Sequence, residues 1–266
     1  MAKFAQYANK AAKDLSTSTR SYADAALIYY QQGDSDAMAK KKAELTIKAS
    51  NASFDSDAKE MSEYLTAVWN SYQVGSDELE HYIDVMASLG AKTATSLEEI
   101  ATSMQKVAAT ANTVGVSMEQ MSSIISTVSS VTREAPESIG TSYKTILARM
   151  GDLKLGGSDE DGVTLGTVSS QLDKIGVKVL DANNDLRDMG DIIWDLGEKW
   201  QTMNTATKSA VAQAVAGKRQ YTQLMALFDN WDMYKENLQI SANSDGALEQ
   251  MAGTWAESWE AASKRV

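Results

Sequence analysis

The chain has 266 residues, a hydrophobic content of 43% and a formal net charge of −11. That length allows one large domain or two smaller ones, and that apolar share allows a real core. The absence of cysteine excludes disulfides, thiolate catalysis and zinc–thiolate sites. The acidic balance speaks against a DNA-wrapping surface, which needs clustered Lys and Arg, and favours solubility and self-repulsion.

In chain order, the start "MAKFAQYANKAAKDL" does not resemble a signal peptide, because charged residues interrupt it and no apolar central region follows. The longest apolar run, "AALIYY" at 25–30, is far short of the ~20 residues needed to cross a bilayer. Asn51-Ala52-Ser53 spells a glycosylation sequon, a chance match in the absence of a secretory signal. Leu65, Val68, Trp69 and Tyr72 then form a helical stripe. A second stripe is Leu79, Tyr82, Ile83, Met86 and Leu89, with Ser76 placed as an N-cap and Gly90 as a stop. The third, behind Ser117 as N-cap, is Met118, Met121, Ile124, Ile125, Val128 and Val131. Pro136 is the single proline, as expected of a chain built from long helices.

The stretch "GDLKLGGSDEDGVTLGT", 151–167, carries five glycines and an acidic patch without helical periodicity. It predicts a mobile, solvated surface loop and a soft boundary between helices in 1–150 and a second part, 168–266. There, Val177 to Leu180 reads as a strand, Asn183-Asn184 as a turn and Leu186 as the start of a return strand, giving one small β-hairpin. Helical stripes resume with Ile192, Ile193, Leu196 and Trp200, then Leu248, Met251, Trp255 and Trp259. The fold class expected is mainly α: a multi-helix bundle of amphipathic helices with that one β-hairpin. A faint echo links "VGSDELEHYIDVMASL" from Val74 to "VGVSMEQMSSIISTVSSV" from Val114, and "RSYADAALIYY" from Arg20 to "EHYIDVMASLG" from Glu80. A repeated two-helix unit and chance alignment of capped amphipathic helices both fit this echo.

Several residues invite a chemical reading. Asp181, Asn183 and Asp185 copy the opening of a calcium loop, but the sixth and twelfth positions are Leu186 and Ile192 where glycine and glutamate are required. Asp159 and Asp161 read as solvated loop carboxylates, and the pair Glu98-Glu99 lacks a defined pocket. Gly217-Lys218 has neither the earlier glycine nor the following Ser or Thr of a phosphate loop. His81, the lone histidine, leaves no His–His pair. The residues therefore assign no catalytic, cofactor-binding or metal site, and no enzyme is expected.

One ordered set of segments carries a resemblance. It comprises "TSLEEIATSMQKVAATANTVGVSMEQMSSIISTVSS" (95–130), "GTSYKTILARM" (140–150), "LDKIGVKVLDANNDLRDMGDIIWDLGEKW" (172–200), "AVAGKRQYTQLMALFDN" (214–230) and "NSDGALEQM" (243–251). In this order they resemble the core region of phage tail tape measure proteins. In that family a helix leads through Gly-Val-Ser to a second, a Gly-Thr segment begins a third, a hairpin follows, and "aGkRq" opens another helix. Asn184 stands where the family usually has the hairpin glycine. The segment "YYQQGDSDAMAKKKAELTIKASNAS" from Tyr29 is similar to the family's upstream helices, so the resemblance spans roughly 15–262.

The resemblance implies a structural tail protein that sets tail length during assembly and leaves ahead of the DNA at ejection. It implies as partners the tail tube protein, tail assembly chaperones and distal tail proteins, with self-association and contact with the host membrane at ejection, and no sequence-specific nucleic acid. It places the protein in the tail lumen of the virion, and in the host cytoplasm during assembly. Such proteins are normally much longer, and "WAESWEAASKRV" stops in helical pattern, so a piece of a longer chain is expected. The other reading is an unrelated helical secreted or signalling interaction protein without catalytic activity.

Overall fold

A computed structural model of the chain describes residues 2–53, 56–154, 156–258 and 262–263. Among the described residues the chain forms thirteen helices: α1 (Ala2–Asp14), α2 (Thr19–Gln31), α3 (Asp36–Ala52), α4 (Ala58–Ser71), α5 (Leu79–Lys92), α6 (Leu97–Thr113), α7 (Met118–Thr132), α8 (Pro136–Lys154), α9 (Leu165–Asp173), α10 (Met189–Trp200), α11 (Thr205–Asp229), α12 (Trp231–Ala242) and α13 (Ala247–Ala256). None is long and apolar enough to cross a membrane. The mainly α expectation therefore holds. The chain divides into two compact units, 1–105 with 240–266, and 106–239, with both boundaries inside helices, α6 and α12. The Gly-rich segment 151–167 lies within the second unit. Its first residues extend α8, and its last open α9.

Local signals start most helices. Ser18, Ser35, Asp57, Ser117, Thr164 and Asn204 each accept a backbone N–H of the following turn. Ser117 forms a full capping box with Gln120. A second reciprocal pair opens α6, where Ser96 Oγ accepts Glu99 N–H and Glu99 Oε2 accepts Ser96 N–H. Pro136 occupies the first position of α8, where its missing N–H costs nothing, so this helix begins ahead of the Gly140-Thr141 pair. Ser76 and Gly90 do not act as expected. Residues 76–78 form a turn in which Ser76 hydroxyl contacts Asp77, and α5 starts at Leu79 and runs past Gly90 to Lys92. The echo between the Val74 and Val114 segments thus breaks at their serines: one caps a helix and the other does not.

In the first unit the stripes from α2 to α5 supply Tyr22, Tyr29, Met61, Leu65, Trp69, Ile83 and Met86 to the core, all essentially inaccessible. Asn51 of the sequon is buried in α3 and donates to Leu15 carbonyl, so it is a packing residue. The closing helix, α13, packs on α3 and α5. Its N-cap, Gly246, has no side chain to offer, and the cap comes from elsewhere: buried Asp84 of α5 accepts Gly246 N–H at 3.0 Å and Leu248 N–H at 2.8 Å. A carboxylate at a helix N-terminus satisfies orphan donors and opposes the helix dipole. Asp84→Ala is expected to cost about 2 kcal/mol. Amide hydrogen exchange should show lost protection across α13, Leu248 first. Unchanged exchange there would remove Asp84 from this role.

The expected burial of Trp255 is seen, whereas Trp259 lies outside the described residues. Val131, at the end of its stripe, is exposed, one residue before α7 stops at Thr132.

The second unit is built around α11, which packs on α7, α8, α9 and α10. The expected β-hairpin is not seen, since the described residues contain no strand at this place. The turn itself forms as anticipated, with Asn184 at φ 67° and Asp181 Oδ1 accepting the N–H groups of Asn183 and Asp185. Pairing stops at a single antiparallel bridge, Leu180 with Leu186, plus Arg187 N–H to Val179 carbonyl. The returning backbone is claimed elsewhere. Met189 N–H donates to Val114 carbonyl at 2.8 Å and Gly190 N–H to Gly115 carbonyl at 3.1 Å, and α10 begins at once. Gly115 sits at φ +72°, and a Cβ there would lie 2.2 Å from the Asp188 carboxylate. Thus the Gly-Val-Ser segment and the Arg-Asp-Met-Gly segment are kept together by direct backbone contact that only glycine permits.

Candidate functional site

The residues weighed for chemistry are dispersed, and the side chains of Asp181, Glu99 and Asp159 hold backbone N–H groups. Asp181 caps its own turn through the two N–H groups described above. Glu99 closes the N-terminus of α6. Burial, reinforced by the carboxylates of Glu60 and Glu99, pushes the neighbouring Glu98 carboxyl above its ordinary range. His81, on α5 in the first unit, has Nδ1 3.7 Å from Asp245 Oδ1. Among the described residues no group of three or more His, Asp or Glu side chains is arranged to hold a metal ion.

The densest polar arrangement lies where α8, the acidic loop and α11 meet. Its centre is Arg149, carried on α8 between the buried residues Ile146, Leu147, Met150 and Leu153. Amphipathic spacing carries Arg149 partway inward, leaving its side chain 10% exposed. The guanidinium has two sets of partners. Nε and Nη2 both donate to Asp159 Oδ2, at 3.0 and 2.8 Å. Nη1 donates to the carbonyls of Ala214 at 2.6 Å and Val215 at 2.7 Å.

Those two carbonyls end the first half of α11. Gly217, at φ +74° and ψ 169°, breaks the helix there, and a second half resumes at Lys218. In an unbroken helix the same carbonyls would receive the N–H groups of Lys218 and Arg219. Arg149 supplies donors in their place, as basic groups do at helix C-termini. The "AGKRQ" segment is therefore a helix restart inside α11, and not the beginning of an isolated helix.

Asp159 is not the solvated carboxylate that the loop composition suggests. Its side chain is 12% exposed. Its Oδ1 accepts the N–H groups of Val163 at 2.7 Å and Asp161 at 3.0 Å, and Ser158 bridges to Thr164. Burial opposes its ionisation, but Arg149 and the N–H groups of Val163 and Asp161 outweigh it, so the carboxyl sits below its ordinary range. Two outer pairs continue the arrangement: Lys218 with Asp161 at 2.9 Å and Arg219 with Glu160 at 3.2 Å. All three carboxylates of "SDEDG" thus face the base of one arginine or the restart of α11. The signal that could have found this was a basic residue inside an apolar stripe, followed ten residues later by Asp159.

Two open grooves flank α8 next to this junction. One, of about 500 Å³, includes Val114, Ala148, Asp152, Leu186 and Arg187; the other, of about 560 Å³, includes Lys144, Ala148, Arg149 and Asp159. In the first, Arg187 is committed to Lys178 carbonyl and Asp195. In the second, Arg149 and Asp159 are committed to each other. Arg149, Arg187 and Asp159 thus hold turns and helix ends in place beside these grooves.

No solved structure matches this chain. A comparison with protein families aligns residues 9–217 with the family described as Phage-related minor tail protein. The matched stretch contains the Gly-Val-Ser turn, the Asp181 turn, the Arg149–Asp159 pair and the first half of α11 up to the Gly217 break. This chain belongs to the phage-related minor tail protein family.

Proposed function

We propose that the chain is the core of a tail tape measure protein, which sets tail length during assembly and acts without catalysis. The observation that carries this reading is the ordered set of five sequence segments, from Thr95 to Met251, inside a chain of the minor tail family. The carboxylates support it in a second way: Asp84, Glu99, Asp159 and Asp181 are all bound to backbone N–H groups or to Arg149. A ruler needs a chain that is long and helical when extended, and the thirteen helices among the described residues supply such a chain. The net charge of −11 would keep it from adhering to DNA that shares the tail lumen. On this reading its partners are the tail tube protein, the assembly chaperones and the distal tail proteins. It would be assembled in the host cytoplasm and touch the host membrane at ejection.

The test is a set of in-frame deletions and duplications of whole helices in the gene that encodes this chain. Tail length measured by electron microscopy is expected to change in proportion, by ~1.5 Å per residue for helical segments. Tails of unchanged length would overturn the assignment. Turnover of a cell-wall or nucleotide substrate by purified protein, abolished by one acidic substitution, would replace it with an enzymatic one.

A further inference from the structure

We propose that α11 is a two-state hinge at Gly217: its kinked form is pinned by Arg149 and the acidic loop, and release of the pin lets its 25 residues run as one continuous helix. The inference does not rest on the length-setting reading.

Sequence and geometry pull in opposite directions at this point. The residues on both sides, "AVA" and "KRQ", are helix-compatible, and one glycine within a helix costs only about 1 kcal/mol relative to alanine. Local preference therefore allows continuity. The observed pair of φ 74° and ψ 169° lies in a region that glycine alone visits readily. The break is also matched by replacements. The carbonyls of Ala214 and Val215 bond to Arg149, while the side chains of Lys218 and Arg219, the residues whose N–H groups would otherwise serve them, hold Asp161 and Glu160. The two outer pairs are exposed and contribute little. The pin is the largely covered Arg149–Asp159 pair.

Apolar burial favours the kink as well. Val211, Ala212, Val215 and Ala216 of the first half are buried, and so are Leu224, Leu227 and Phe228 of the second. Straightening trades part of that burial for intrahelical bonds. The kinked form accordingly prevails while Arg149 is in place, and the straight form, ~37 Å long, becomes populated without it.

The chain has no cysteine, so Ala206→Cys and Thr222→Cys, both at exposed positions, would give the sole sites for paired spin labels. In a continuous helix these positions are ~24 Å apart along the axis. Gly217→Ala combined with Arg149→Ala is expected to raise the population near 24 Å at least tenfold over the otherwise unchanged chain. A distance distribution identical to that chain, or a broad one without this peak in a cooperatively folding protein, would overturn the hinge. If the double variant does not fold, Asp159→Asn carries the test, because it loosens the pin without adding a Cβ. A new peak near 24 Å is expected there too, and its absence would overturn the proposal.

Discussion

Replacing Arg149 with alanine is expected to destabilise the second unit by about 3 kcal/mol, the low end for breaking a buried pair. It strands a largely covered partner charge that keeps two backbone donors. Asp159 would lose both guanidinium bonds while keeping a side chain only 12% exposed, and the Ala214 and Val215 carbonyls would lose their donor. Urea denaturation followed by tryptophan fluorescence, three of whose six sources (Trp194, Trp200 and Trp231) lie in the second unit, would read the change. Arg149→Lys should recover part of it, since an ammonium cannot reproduce the fork that serves a carboxylate and two carbonyls together. The same pair makes stability depend on acidity. Asp159 has a depressed carboxyl in the folded chain, so its contribution is complete above the ordinary carboxylate range, near pH 4, and is lost as pH falls through the folded value. In Arg149→Ala that acid dependence should shrink. A loss below about 1 kcal/mol would place the pair with ordinary surface ion pairs.

A loss of similar size, about 3–5 kcal/mol, is expected for Trp200→Ala. Trp200 ends α10, is fully buried, and lies with its ring centroid 4.9 Å from that of Phe228 on α11. Its indole N–H donates to Asp229 at 2.7 Å, and Lys208 Nζ lies 5.3 Å from its ring centroid. Truncation removes the ring area and the hydrogen bond, and it leaves a cavity between two helices. Trp200→Phe keeps most of the area and loses the bond, so its cost should be nearer that of one hydrogen bond to a charged group, about 2 kcal/mol. The difference between the two variants, measured by the same denaturation, separates packing from bonding. A midpoint unmoved by Trp200→Ala would mean that α10 docks through other residues.

Both sites show what a sequence reveals and what it hides. Stripe residues such as Ile83, Met121, Ile193 and Leu196 are buried as their spacing predicts, because helical periodicity is a local property. Ser117 and Asn184 are legible for the same reason: a cap and a left-handed turn each involve neighbours within a few residues. Ser76 misleads because a good capping residue can be bypassed by a turn that delays the helix to Leu79. The hairpin fails because its return backbone is bound to Val114 and Gly115, some 75 residues earlier in the chain. Nothing within the Val177–Leu186 stretch records that competition. The Arg149–Ala214 and Asp84–Leu248 contacts are hidden likewise, separated by 65 and 164 positions.

The separation between Asp84 and Leu248 also has a consequence for the order of events at the ribosome. The second unit is one uninterrupted stretch, 106–239, whereas the first draws on both 1–105 and 240–266. During synthesis every residue of the middle unit emerges before α13 does. Until then Asp84 has no helix end to cap, and the surfaces of α3 and α5 that receive α13 stay uncovered. Closing so long a loop costs only slowly growing entropy, but it cannot begin until α13 itself is made. The unit begun first is therefore the unit completed last, and in that interval the apolar faces that α13 covers stay exposed to water.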